Sequence, residues 1–569
     1  MLQVLIKIIV VSLILFNVGC KKTEGADIII IAPVYTMNDQ QPWADAVAIK
    51  SNKIIYVGDQ ITARSLYNNS THIIEKPDGM VLPGFIDTHV HLLSGGIEML
   101  DCQLFNLENP EQIFIAIKEF AQNNLNDEWI RGGGWSLPIF PEGNPQKEWL
   151  DEIIPDRPVY LFSADGHSAW VNSKALELAG IDEFTPDPLN GRIERKLNSN
   201  IPSGVLREDA MKMVEKFLPL YTIDQIQNGL KESVKEANKF GITSILDAGT
   251  GSIKANDINL GVYDALDAYK EATESGEITI RVTASKYVNP DSWEHDLKNI
   301  KGERFINDFG KMNTVKFFAD GVIEGKTAAL IEPYLGSNDK GIINWDPDTL
   351  KKVLAIFDKE GFQIHVHAIG DRAIRNTLDA FEFAKNENNI TEKRHMMSHV
   401  QLINPLDIPR FYDLGVIPSF QALWACPDKY IVDLTFPVLG PDRSRWNYPI
   451  QTVVLTGARI AGGSDWTVSS LNPLDAIEVA VTRKELGLKD GPALFPQEAV
   501  SLKTILKAYT IWGAYSLSQE QSLGSIENGK LADIIILNKN LFEVPPFTIH
   551  EVKVSQTIFN GEIVYHLEE

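Results

Sequence analysis

The sequence predicts an α/β protein. Its middle is a βα-barrel or open sheet of parallel strands, and a smaller β-sandwich is assembled from both chain ends. Three observations carry this expectation. Apolar strands and amphipathic helices alternate between residues 83 and 521, the pattern of parallel βα units. Short β-branched strands recur at both ends, and neither set can bury its face alone. Several middle strands end in His, Lys or Asp, and barrels of this kind gather their chemistry at the C-terminal strand ends.

With 569 residues the chain exceeds one simple core, so two or more domains are expected. A net charge of −23 argues against nucleic acid as a partner, because a polyanion is repelled; the plain alternative is that an acidic surface favours solubility. Cys20, Cys102 and Cys426 are far apart and form no CxxC pair, which argues against a disulfide framework or a thiolate zinc site.

The first segment stands apart. Residues 1–19 hold an apolar run from Ile8 to Phe16, too short to span a bilayer, and read as a signal peptide. Gly19-Cys20 resembles a lipoprotein cleavage site, so residues 20–26 are expected to be lipid anchor and tether. Asn17 departs from the usual apolar residue of such sites; the alternative is an ordinary secretory peptide with a chance cysteine. The anchor implies export and attachment to a bacterial membrane through Cys20 only.

Residues 27–82 and 522–569 carry the strands of the β-sandwich, including Asp27–Ala32, a hairpin from Ala46 to Gly58 and Asp533–Leu537. Candidate inner strands of the middle, residues 83–521, are 83–91, 158–163, 242–247, 280–287, 314–319, 362–367, 396–400, 416–421 and 459–464. That is one more than an eight-stranded barrel needs. Helices are expected at 224–240, 260–275, 348–360, 371–386 and 472–486, where apolar residues recur at helical spacing.

Residues i and i+2 of a strand share a face, so His89 and His91 can enter one site together, a spacing suited to a divalent metal. The alternative is a strand with two inward polar residues; Pro83-Gly84 and Asp87 weigh against it. Lys316 lies inside an apolar strand, His365 and His367 form a second pair, His395 and His399 flank a strand, and Asp465 ends another. One such residue means little, but together across a βα array they suggest a metal site.

These residues sit in Gly84–His91, Ser163–Asn172, Lys316–Gly321, His367–Ala373 and Gly463–Asp465. On those motifs the sequence resembles the amidohydrolase superfamily, amidohydrolase family 3 type, the branch that includes N-substituted formamide deformylases. The resemblance implies a (β/α)8 TIM-like barrel with metal residues His89, His91, Lys316, His367, His399 and Asp465. It selects His367 over His365 and makes 158–163 the surplus strand, inside an insertion of about 100–218. His167, Trp170 and Asn172 on that insertion are expected to contact substrate or exclude water; equally, they can hold the insertion together. Asp320 is a further substrate-binding candidate, and Trp135, Trp424 and Trp466 are candidates for lining the pocket.

The implied cofactor is a divalent metal, zinc foremost, as one or two ions. A buried lysine with a lowered pKa can react with carbon dioxide, so the resemblance implies an N6-carboxylated Lys316; the alternative is an ion pair with Asp320 or Glu324. Asp465 is the expected general base, and His399 binds metal or steadies the carbonyl oxygen. The implied reaction is hydrolysis of a C–N bond other than a peptide bond, in a small amide, formamide, carbamate or cyclic amide. The alternatives are ester or lactone hydrolysis at the same site, or a lipid-anchored binding protein without turnover. Homo-oligomerisation is left open.

Overall fold

A computed structural model describes residues 25–105, 107–250, 254–257, 261–389 and 393–568. The signal-peptide segment and Cys20 lie outside the described residues. No helix among the described residues is long and apolar enough to cross a membrane.

The centre is a nearly closed barrel of eight parallel strands: Phe85–Val90, Ile242–Thr250, Arg281–Tyr287, Gly310–Phe318, Gln363–Ala368, Met396–His399, Ile417–Phe420 and Ala461–Gly462. The strands are buried on both faces, which is why they read as apolar runs rather than alternating ones. First and last strands meet through Thr88, whose Oγ1 donates to Gly462 O at 3.0 Å. Beyond them Asp465 N donates to His89 O at 2.7 Å and His91 N to Trp466 O at 3.1 Å. Closure thus falls at the chemical end of the barrel.

Register aligns the functional side chains. Lys316 pairs with His365, Phe318 with His367, and Ala368 with His399. The helices follow their caps. That of Ile223–Lys239 starts in a Thr222–Gln225 capping box. The helix expected from residue 260 starts at Ala265 because the Asp264 carboxylate caps Leu266 N at 2.8 Å. The helix expected to reach residue 486 ends at Thr482, where Arg483 turns left-handed at φ 58°. The final strand is two residues long, shorter than its apolar run.

The surplus strand, Val159–Ser163, lies outside the barrel. It belongs to a six-stranded sheet ordered 191–195, 202–208, 168–171, 159–163, 130–135, 102–103. Gly132 and Gly133 of that sheet are sites of close approach: a Cβ on either would meet Cys102 at 2.2 Å or the Phe162 ring at 2.4 Å.

Strands of both chain ends share one eight-stranded sheet. Met80–Pro83 is the seam: it runs parallel to Ile28–Tyr35 and antiparallel to Ile534–Leu537. The sheet curls, so that Ile54 N donates to Lys530 O at 3.0 Å and closes around Ile30, Val47, Ile49, Ile534 and Ile558.

Candidate metal centre

The first barrel strand delivers His89 with its environment already built. Asp87 accepts from His89 N at 3.0 Å and from Ser464 N at 3.1 Å, tying the first strand to the last. Burial pushes the Asp87 carboxyl up to about 7. His89 Nδ1 lies 3.0 Å from His365 Nε2, which leaves Nε2 for the cavity.

Four side chains converge. His89 Nε2 and His91 Nε2 are each 3.2 Å from Asp465 Oδ1, and His399 Nδ1 is 4.0 Å from Asp465 Oδ2. Ligand atoms of His89, His399 and Asp465 all fall within 4.8 Å of one another. Asp465 Oδ1 is buried yet has no hydrogen-bond partner. Burial opposes its charge, but His89 and His91 hold the Asp465 carboxyl well below the usual range. Burial also drives His89 down to about 3, and His365, His367 and His399 well below the imidazole range. Burial works against charge on His91 as well, but its hydrogen bond to Asp465 raises it, whereas His89 and His399 are neutral. With the Asp465 carboxylate these rings are the donor set a divalent ion takes, His91 giving up its proton to it. The residues present therefore fit a metal.

Backbone at the site is unusual. His399 has φ 72° and Asp465 φ 53°, left-handed values that cost energy for residues other than glycine and concentrate at functional sites. Gln421 Oε1, 2.8 Å from His399 Nδ1, and the Trp424 ring, stacked at 5.5 Å, fix the His399 plane.

Lys316 is fully buried. Its Nζ lies 3.3 Å from Ser398 Oγ, and burial pulls its pKa down to about 7 against the field of Asp465. Among the described residues no carboxylate is within ion-pair distance of it. The ion pair with Asp320 or Glu324 is therefore not formed. Asp320 instead accepts from the backbone N–H of Ala329, Ile369 and Gly370 at 2.8–3.0 Å. With 1% exposure it ties two loops together and lines neither of the two cavities that meet at the centre. His367 faces the cavity, its ring 4.5 Å from that of His399.

The insertion contributes His167, whose ring lies 5.3 Å from that of His367. Its Nδ1 is 3.1 Å from Glu208, which accepts from Thr327 Oγ1 at 2.7 Å. Burial works against the imidazolium, but Glu208 pushes His167 up to about 9. Trp170 and Asn172 do not reach the cavity. Trp170 is buried among Phe140, Trp149 and Trp135, and Asn172 caps the helix Ser173–Ala179 while accepting from Val159 N. They hold the insertion together, as does Trp135, whose Nε1 donates to Leu161 O. Trp424 and Trp466 do line the site.

Two cavities meet at the centre. One of 490 Å³ lies between Tyr287, Phe318 and the insertion; one of 980 Å³ opens toward Trp424 and Tyr430.

Comparison with known proteins converges on one family. Residues 77–565 match the sequence profile of the Amidohydrolase family. Protein LONG AFTER FAR-RED 3 of Arabidopsis thaliana is 32% identical over 91% of this chain and 88% of its own. N-substituted formamide deformylase of Arthrobacter pascens is 24% identical over 95% of this chain and 99% of its own. A crystal structure of an uncharacterized metal-dependent hydrolase from Pyrococcus horikoshii superposes with a TM-score of 0.70 at 23% identity, covering 91% of this chain and 99% of that one.

Proposed function

We propose a function on the premise that the chain belongs to the amidohydrolase family: hydrolysis of a small amide, formamide, carbamate or cyclic amide. The observation that carries it is the orphaned Asp465 Oδ1 set between His89 Nε2 and His91 Nε2.

His89, His91 and Asp465 would hold one divalent ion, read as zinc, and His367, His399 and Lys316 border the room for a second. Such an ion supplies a Lewis acid for the carbonyl and brings bound water near pKa ~7. Asp465 takes the proton of the attacking water and returns it to the leaving nitrogen as the C–N bond breaks, giving a carboxylic acid and an amine. His399, whose Nδ1–H is spent on Gln421, offers its Nε2 lone pair to metal, and His167, protonated against Glu208, is placed to donate to the carbonyl oxygen. Lys316, with its pKa near 7, has a neutral fraction able to add to carbon dioxide, releasing one proton and becoming an anionic carbamate. We further propose export with a lipid anchor at Cys20, supported by the N-terminal sequence.

The test is a screen of N-substituted formamides and small amides with metal-loaded protein, with metal content measured in parallel. Turnover that is lost on chelation and restored by zinc supports the reading. Turnover indifferent to chelation to an empty site sinks it.

A further inference from the structure

The larger cavity has a lining that the hydrolytic chemistry does not call for. Among the described residues no lysine or arginine lines its 980 Å³; the cation on its wall is His167, already held by Glu208, whereas Asp165, Glu324 and Asp428 line it as carboxylates. None of these three carboxylates forms an ion pair among the described residues. Asp165 Oδ2 is buried without a hydrogen-bond partner. Both side-chain donors to Glu324, Gln401 Nε2 and Thr435 Oγ1, reach Oε1. Burial raises Glu324 and pushes Asp428 up to about 7, the signature of carboxylates lacking a counter-charge.

A second observation points to a ligand. Tyr448 lines the same chamber, is 2% exposed, and its phenol has no hydrogen bond among the described residues. A buried phenol usually finds a partner. Trp424 and Tyr430 supply aromatic faces beside it. Arg483, whose charge reaches Tyr448 and Cys426, does not line the chamber and has Glu498 nearby.

We propose that the substrate carries a primary ammonium group remote from the scissile amide, seated in this chamber by Glu324, Asp428 and Tyr448 between aromatic walls. This rests on the amide-hydrolase reading and specifies its substrate class. Carboxylates accept charge-assisted hydrogen bonds from the ammonium, and aromatic faces attract it. The chamber opens onto His399 and Asp465, so one molecule can reach both.

The experiment compares three matched series on metal-loaded protein: monoformylated diaminoalkanes, N-formylalkylamines of equal chain length, and formamidoalkanoic acids. The ammonium compounds should lead the neutral ones by about tenfold or more in kcat/KM, with the acids last. In a Glu324→Gln/Asp428→Asn double variant that ratio should fall toward one; either single variant gives the same readout should the double fail to fold. A preference for neutral or acidic substrates, or a ratio unmoved by the substitutions, overturns the proposal. If no formamide turns over, the formamide arm of the hydrolase reading fails separately. The chamber is then judged by calorimetry on Asp465→Asn protein. Tighter binding of a free diaminoalkane than of an alkylamine, lost on the two substitutions, sustains the proposal; equal binding overturns it.

Discussion

His365 Nε2 lies 3.0 Å from His89 Nδ1, so the histidine that shares a strand with His367 serves a different strand's ligand. With His89 Nδ1–H donating, the His89 Nε2 lone pair is free for an ion, and His365 carries its proton on Nδ1, which is buried and unpartnered. Substituting His365→Leu removes the acceptor and frees the His89 ring to rotate. Metal affinity should fall about 10–100-fold, measured by chelator competition. Unchanged affinity would mean that packing alone holds His89.

Asp465→Asn keeps the size of the side chain and removes its proton acceptance. Turnover should fall about 10²–10⁴-fold. Metal content per chain separates the two roles of this residue. Lost turnover with retained metal assigns the base, while parallel loss of both assigns only a ligand.

What could be read from the sequence depended on how locally each side chain is aimed. A strand fixes i and i+2 on one face, so His89 and His91 were legible as a pair; βα alternation disclosed a parallel barrel or open sheet, and the family resemblance implied the barrel. The direction of Trp170 and Asn172 is set by how the insertion folds on itself, with Asn172 reaching back to Val159 N. Nothing within the Ser163–Asn172 motif encodes that. Glu208 and Gln421 were missed for a related reason. Each acts on a histidine far along the chain, 41 residues away for His167 and 22 for His399, and no spacing rule connects them. Asp320 sits in a motif, but its three backbone donors come from two loops further along the chain.

Lys316 offers a direct chemical test. Its pKa near 7 leaves neutral amine at physiological pH, and incubation with 13C-bicarbonate and metal should yield a carbamate carbon resonance. Lys316→Gln should lack that resonance and bind fewer ions per chain. A wild-type protein with two ions and no carbamate signal would refute the modification.

The His167–Glu208 pair links pH to stability. His167 in the folded chain is pushed up to about 9, above its unfolded value of about 6.5. Its contribution is therefore complete below pH ~6.5 and is lost as pH rises through about 9. Thermal midpoints should fall across that window more in the wild type than in Glu208→Gln, where the imidazole has no counter-charge. Parallel curves would show that the pair does not titrate with unfolding.

Arg281 joins the barrel to the terminal sheet. Its Nε donates to Asp533 Oδ2 at 2.7 Å and its Nη2 to Asp533 Oδ1 at 3.2 Å, with both side chains nearly buried. Nη2 also reaches Asn560 Oδ1, and Asp533 Oδ1 accepts from Asn560 N at 2.8 Å, so one carboxylate binds a barrel strand to the last hairpin. Removing one partner of such a pair leaves a charge buried without compensation. Asp533→Ala should cost about 3–5 kcal/mol. The Arg281→Met/Asp533→Leu pair, which buries no charge, should recover much of that loss. Denaturant midpoints with matched slopes measure both. If the double variant is as unstable as the single, the hydrogen bonds to Asn560 rather than the ion pair hold the two parts together. If Asp533→Ala is silent, the seam at Met80–Pro83 suffices by itself.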